Sequence, residues 1–387
     1  MKIVVLASLA WSLTNFRGTL LAAMVRAGHE VVACAPDDNA ETRAALEEIG
    51  VRFRRIPMSR VGLNPFADAL TVAALVRLLR AERPDTLLAY TQKPIIYGGI
   101  AARLVGGIRF HAMVSGLGHV FTDDGQPRRL LRRLVAALYR AGVRDAETVF
   151  VFNRDDPAEM ARWGILRPDH VVVQVPGSGV DTRRFAAEPI PPGAPVFLLV
   201  ARLLRNKGLG EFAAAARRIR ARHPDARFQL LGPHDANPAS IARAELDDWV
   251  GRGDIEYLGE TRDVRPYLAA ASVFVLPTWY REGLPRTILE ALATGRPVIT
   301  TDAPGCRETI DGNGYLVPVR DAGALEQAMQ AFVDDPWLAV RMGRRSRELA
   351  EQRFDTAHVN AMLLAGMGLD RPAVTVRSVA RFAMGAA

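Results

Sequence analysis

The chain is poor in several things that would each point to a different class of protein. It holds two cysteines in 387 residues, Cys34 and Cys306, too few and too far apart for a disulfide framework. A reducing cytoplasm is therefore the expected setting. No apolar run approaches the ~18 residues of a membrane-spanning helix, so any expected membrane contact is peripheral. There is no Cys/His cluster, and the acidic pairs Asp123–Asp124, Asp155–Asp156, Asp247–Asp248 and Asp334–Asp335 are adjacent rather than spaced D-x-D to hold a divalent ion. No metal and no cofactor is expected. Lysine is the last scarcity: of 50 basic residues only Lys2, Lys93 and Lys207 are lysine. An internal lysine in so arginine-rich a chain is a candidate compact, flexible point charge, although chance explains either one alone equally well.

What is present describes a soluble globular protein, 49% hydrophobic and 24% charged, too long for one ordinary core. The net charge is +8, with an excess of six positive charges in residues 1–180. Such an excess suits an anionic partner: a membrane surface, a phosphate-bearing substrate or nucleic acid. Nucleic acid would also call for aromatic residues among the basic ones. The start, MKIVVLASLAWSL, has the look of a signal sequence, but it runs on into a helix pattern and a second strand, and reads as the first βαβ unit of a fold.

Strands are predicted at IVVLAS, EVVACAP, VRFRRIP, TLLAY, FHAMVS, TVFVFN and VVVQVP, then in a second series at PVFLLVARL, FQLLG, IEYLG, VFVLP, PVITT and YLVPV. Apolar strands alternating with helices mean parallel sheets, and two series mean two doubly wound, Rossmann-like α/β domains. We expect the first over residues 1–185 and the second over 193–365, with a cleft between them and a tail, 366–387, of unknown order. The linker falls in GVDTRRFAAEPIPPGAP, where four prolines lie between Pro189 and Pro195.

The stretch LPTWYREGLPRTILEAL (276–292) carries Glu282 and Glu290 around Pro285. Proline fits a first helical turn and not an interior, so a helix is predicted to begin near Leu284 or Pro285, leaving Glu282 in a loop and Glu290 on the second turn. Strand, loop and helix in that order form the junction where open α/β sheets bind ligands. A second such junction, LLVARLLRNKGLGEF, places Arg202 and Lys207 beside a helix N-terminus, a setting that favours phosphate. GSGVDT (177–182) lacks the third glycine and the helix of a dinucleotide fingerprint and reads as a turn at the domain junction. In VSGLGHVFTDDG, Gly116 and Gly118 let the backbone approach a ligand, and Ser115 or His119 can reach a hydroxyl; a plain loop explains the same residues. Residues 127–144 form a basic amphipathic segment with Leu130, Leu131, Leu134, Val135, Leu138 and Tyr139 at helical spacing. It suits an anionic bilayer or an ordinary packed helix.

Taken together, these motifs resemble the family-4 retaining glycosyltransferases of GT-B architecture over about residues 1–365. The resemblance implies a donor site in which Glu282, with the backbone of Gly283 and Leu284, meets the donor sugar and Glu290 holds the ribose, while Arg202 and Lys207 neutralise the diphosphate of a UDP-sugar. SRVGLNPF, SGLGHVFTDDG, GSGVDTRRF and LGPHDANPAS further resemble bacterial enzymes that add a hexosamine to an undecaprenyl-diphosphate-linked sugar. They imply transfer of a hexose or N-acetylhexosamine, with GalNAc first, at the cytoplasmic face of the inner membrane. Arg17 and Lys93 are then expected on the acceptor's diphosphate, and Ser115, Gly116 and His119 on a sugar. The chain departs from the family in reading SLAWSLTNFRG where many members carry a glycine pair. It also has Ser115, flanked by His111 and His119, where others carry a histidine. Two rival functions remain at this point, a non-hydrolysing UDP-sugar epimerase and a basic nucleic-acid-binding protein. The epimerase would leave the basic helix and the paired glutamates unexplained.

Overall fold

A computed structural model describes residues 1–59, 62, 64–118, 121, 129–235, 237 and 239–370. The chain divides into two compact units, which meet in sequence between Ser178 and Gly179.

The first unit runs β1 (Lys2–Leu6), α1 (Ala10–Asn15), α2 (Gly18–Arg26), β2 (Glu30–Ala35), α3 (Ala40–Glu48), β3 (Arg52–Arg55), α4 (Pro65–Glu82), β4 (Thr86–Tyr90), α5 (Gln92–Val105), β5 (Arg109–Val114), α6 (Arg129–Val143), β6 (Thr148–Val151), α7 (Asp155–Arg162) and β7 (Val172–Gln174). Its sheet has the order β3-β2-β1-β4-β5-β6-β7, and every pairing is parallel. β4 is buried along its whole length, as expected of a strand covered by helices on both faces. Helix starts follow local chemistry: Pro65 sits in the first turn of α4, and the Asn64 side chain accepts from the amides of Phe66 and Ala67 at 3.1 and 3.2 Å.

The second unit runs β8 (Val196–Val200), α8 (Leu209–Arg220), β9 (Arg227–Leu231), α9 (Arg243–Gly251), β10 (Glu256–Tyr257), α10 (Arg265–Ala270), β11 (Val273–Leu276), α11 (Arg286–Ala293), β12 (Val298–Thr301), β13 (Gly314–Val317), α12 (Ala322–Asp334) and α13 (Pro336–Leu349). Its parallel sheet has the order β10-β9-β8-β11-β12-β13. Alternate residues of β8 enter opposite cores. Phe197 and Leu199 join Phe212, Phe228 and Phe332, while Leu198 and Val200 join Leu276, Ile288 and Leu292. Each such buried side chain contributes roughly 1.5–3 kcal/mol. Every strand read from the sequence is found in place.

The domain limits differ from expectation at both ends of the second unit. The first domain does not run to 185, because Val180 and Phe185 are buried in the second unit's core. The proline-rich segment after them is pinned rather than loose. Arg296, fully buried, donates to the carbonyls of Glu188, Pro189 and Ala271, and burial lowers its pKa to about 10. At the other end, α14 (Thr356–Gly366) belongs to the first unit, not to a domain ending at 365. There Thr148 donates to the Gly366 carbonyl at 2.9 Å and Arg109 to that of Met367 at 3.1 Å. Gly366 lies so close to Phe150 that a Cβ would come within 2.6 Å of its ring. The tail from 371 lies outside the described residues. Among those residues no helix is long and apolar enough to cross a membrane.

The amphipathic segment is also resolved into two parts. In α6, Val135, Ala136, Tyr139 and Val143 pack into the core, whereas Leu130, Leu131 and Leu134 are exposed. The six apolar residues expected on one face are therefore shared between core and surface. Pro127 and Arg128 lie outside the described residues.

Candidate active site

Each sheet reverses its order once, between β1 and β4 in the first unit and between β8 and β11 in the second. Doubly wound sheets bind ligands beyond the carboxyl ends of the strands at that point.

In the second unit the two loops that leave β8 and β11 are fastened together. The chain after β8 makes a tight 3-10 turn over Arg205–Lys207 and leaves it through Gly208 at φ 78°. A Cβ at Gly208 would stand 2.1 Å from the Pro277 carbonyl oxygen, so only glycine lets the turn lie against the end of β11. The Asn206 carbonyl then accepts from the Thr278 hydroxyl at 2.9 Å and the Trp279 amide at 3.0 Å. This clamp brings Lys207 into a direct ion pair with Glu282, each side chain 15% exposed, and sets the ammonium 5.3 Å from the centre of the Tyr280 ring. From below, Gly305 supports the same loop. A Cβ there would lie 2.4 Å from the Gly283 carbonyl and 2.7 Å from that of Glu282.

Pro285 caps α11, whose first residue is Arg286, and Glu290 stands on the second turn as the proline implied. The Glu290 carboxylate is almost wholly buried and accepts from Arg286 Nε at 2.9 Å. Burial pushes its pKa above the usual carboxylate value, against the pull of Arg286 and, farther off, Arg184. Leu284 is half-buried and packs at the edge of the second core. Arg202 is more exposed, at 58%, and is held by Asp235 at 2.6 Å. Arg202 and Lys207 thus have separate carboxylate partners.

In the first unit Arg17 is 97% inaccessible by its 3% exposure, with its guanidinium 5.2 Å from the centre of the Tyr90 ring and 5.4 Å from that of Phe152. Lys93, in the first turn of α5, is partly buried and paired with Asp68 at 3.1 Å. Ser115 and Gly116 follow the carboxyl end of β5, Gly116 at φ 111°. His119 lies outside the described residues. His111 cannot meet a ligand on the surface: it points into the core of the sheet at zero exposure.

Arg286, Tyr280, Asn206 and Gly305 were not singled out from the sequence. Arg286 could have been, since it precedes Glu290 by four residues on a helix. The others act through contacts between loops distant in sequence, which leave no local pattern.

A cation and two carboxylates around the start of a helix can hold a ligand that bears both hydroxyls and a phosphate. Comparison with known proteins agrees with that chemistry. The family model described as glycosyl transferases group 1 matches residues 194–335, and that of the glycosyl transferase 4-like domain matches residues 15–177. WcaL of Salmonella typhimurium, a glycosyltransferase named for colanic acid biosynthesis, is 31% identical over 384 residues, covering 89% of this chain and 93% of WcaL. The chain belongs to the group 1 glycosyltransferases. This glycosyltransferase is also 26% identical over 367 residues to the N,N'-diacetylbacillosaminyl-diphospho-undecaprenol alpha-1,3-N-acetylgalactosaminyltransferase of Campylobacter jejuni, with 91% of this chain and 94% of that one covered. In structure it resembles Anabaena HepE in complex with UDP, at a TM-score of 0.77 and 18% identity over 95% of this chain and 100% of the other. The glycosyltransferase therefore has the GT-B fold that the motifs implied.

Proposed function

We propose that this glycosyltransferase moves a hexose or N-acetylhexosamine, N-acetylgalactosamine first, from a UDP-sugar to a sugar carried on a polyprenyl diphosphate, with retention at the anomeric carbon and without a metal. The observation that carries the reading is the junction of Lys207 with Glu282 beside the start of α11, at the switch point of the second sheet. The names of the Campylobacter enzyme and of the UDP-bound HepE support the acceptor and the nucleotide.

In this reading Glu290 accepts from the ribose hydroxyls, and Glu282 with the backbone of Gly283 and Leu284 meets the donor sugar. As the bond from the anomeric carbon to the diphosphate breaks, its electron pair passes to the departing phosphate oxygen. Lys207, Arg202 and the N-terminus of α11 stabilise the charge that grows there. The acceptor hydroxyl forms the new bond from the same face, and its proton goes to the departing phosphate. UDP and the lengthened lipid-linked glycan are the products. Arg17 and Lys93 hold the acceptor's diphosphate, Lys93 by exchanging Asp68 for phosphate, with Ser115, Gly116 and His119 on a sugar. The exposed leucines of α6, with the exposed Arg133 between them, rest on the anionic cytoplasmic face of the inner membrane.

A panel of UDP- and GDP-sugars assayed against short-chain polyprenyl-diphosphate sugars tests this. Transfer from a UDP-sugar, lost in Glu290→Gln, is the expected result. Epimerisation of the donor without transfer, or full activity in the variant, would overturn it.

A further inference from the structure

The first sheet's switch point carries a feature that the donor chemistry does not use. α1 lies across the carboxyl end of β1 and is anchored from below by the buried residues Ala10, Ser12 and Leu13. The Ala10 amide donates to Asp37 at 2.8 Å, and the Ser12 hydroxyl is 2.8 Å from that of Tyr90 at the end of β4. With the helix held in this way, the indole of Trp11 points outward, 50% exposed. It is not loose, because Phe16 meets it edge to face at 5.3 Å between ring centres and 80° between planes.

An isolated exposed aromatic residue needs no explanation by itself. Its surroundings supply a second observation. Thr91, the residue after β4, has φ 68° and ψ 160°, strained backbone that is almost confined to glycine. Its hydroxyl donates to Ser8 after β1 at 2.9 Å. A strained residue, two half-buried hydroxyls and a braced, outward aromatic ring therefore sit at the one edge of this sheet where its fold binds ligands. Hydroxyls beside an aromatic face match the two faces of a pyranose, one rimmed by O–H and the other by C–H groups.

We propose that Trp11 is the platform on which the sugar ring of the acceptor rests, and that it selects a saccharide rather than a bare lipid diphosphate. The inference rests on the acceptor class proposed above. Two probes test it: a short-chain polyprenyl diphosphate bearing N-acetylhexosamine and the same polyprenyl diphosphate without sugar. Each is titrated into the full chain and into Trp11→Phe, and the difference in tryptophan fluorescence isolates Trp11 from the four other tryptophans. Trp11 should respond to the sugar-bearing probe alone. Trp11→Ala should raise the acceptor KM about tenfold or more, and Trp11→Phe should restore it to within about threefold, while UDP affinity stays as in the parent chain. An equal response to both probes, no response, or an unchanged acceptor KM would overturn the proposal. A sugar-dependent response in a protein that transfers nothing would sink the transfer reading and leave the platform standing.

Discussion

Lys207 and Glu282, 75 residues apart in sequence, neutralise each other in a partly buried ion pair. The pair is made by two loops that leave neighbouring strands; under the proposed function, a phosphate entering the site would compete with Glu282 for the same ammonium. Lys207→Ala should lower kcat/KM by roughly 10²–10³, the scale of a lost preorganised charge. It should also cost about 1–3 kcal/mol of stability, because Glu282 loses this charge-assisted contact. Glu282→Gln should reduce transfer while leaving UDP affinity equal or higher. Steady-state kinetics, UDP titration and urea unfolding read the three effects, and weaker UDP binding in Glu282→Gln would refute the competition.

Glu290 gives a pH prediction. Burial raises its pKa, so as pH falls it takes up a proton before an exposed carboxyl would. Donor affinity should therefore decline on the acid side starting above the ordinary carboxylate range, and Glu290→Gln should bind donor weakly with no such decline. The stability term has the opposite sense: ionising this carboxyl in the folded state is unfavourable, so its cost appears as pH rises through the raised pKa. A donor KM that is independent of pH in the parent chain would contradict this account.

His111 supplies a second titration, in stability rather than activity. Burial, with Arg109 adding to it, lowers its pKa to about 4, and neither ring nitrogen has a protein hydrogen-bond partner among the described residues. Unfolding restores an ordinary imidazole near pH 6.5. The unfolded chain thus binds a proton that the folded one refuses, and stability falls as pH drops from about 6.5 toward 4, by up to ~3 kcal/mol. His111→Phe should flatten that slope in denaturant melts at pH 5 and 7.5. An equal slope in both proteins would place the acid sensitivity elsewhere.

Gly305→Ala separates loop support from charge. The new methyl would meet the Gly283 carbonyl, at a residue whose φ of 81° also disfavours any side chain. We expect a folded protein destabilised by on the order of 1–3 kcal/mol, with transfer impaired because Glu282 is displaced. Wild-type kinetics in this variant would show that the turn after β12 does not position the loop.

For α6, replacing Leu130, Leu131 and Leu134 together by glutamine, which keeps helix propensity close to that of leucine, should abolish binding to vesicles containing anionic lipid and leave thermal stability within about 0.5 kcal/mol, since all three are exposed. Sedimentation with vesicles reads the first effect and calorimetry the second. A large loss of stability would mean that the leucines belong to the core.

The strands were legible because a buried parallel strand is a continuous apolar run, a pattern complete within a few residues. The start of α11 was legible for a similar reason, since the ring of Pro285 restricts the backbone wherever it occurs. Order of strands along the chain, and with it the two-unit architecture, followed from those local signals.

Partnership was not legible in the same way. Nothing near Lys93 announces Asp68, nothing near Arg202 announces Asp235, and the leucines of α6 have the same spacing whether they meet core or water. The return of α14 to the first unit and the burial of His111 are likewise set by what packs above them. Side-chain period and backbone sterics act within a turn or two of chain, so residue order alone specifies them. Ion pairing and burial depend on distance in space, and that is fixed only once the sheets have brought remote loops such as those of Lys207 and Glu282 to a common edge.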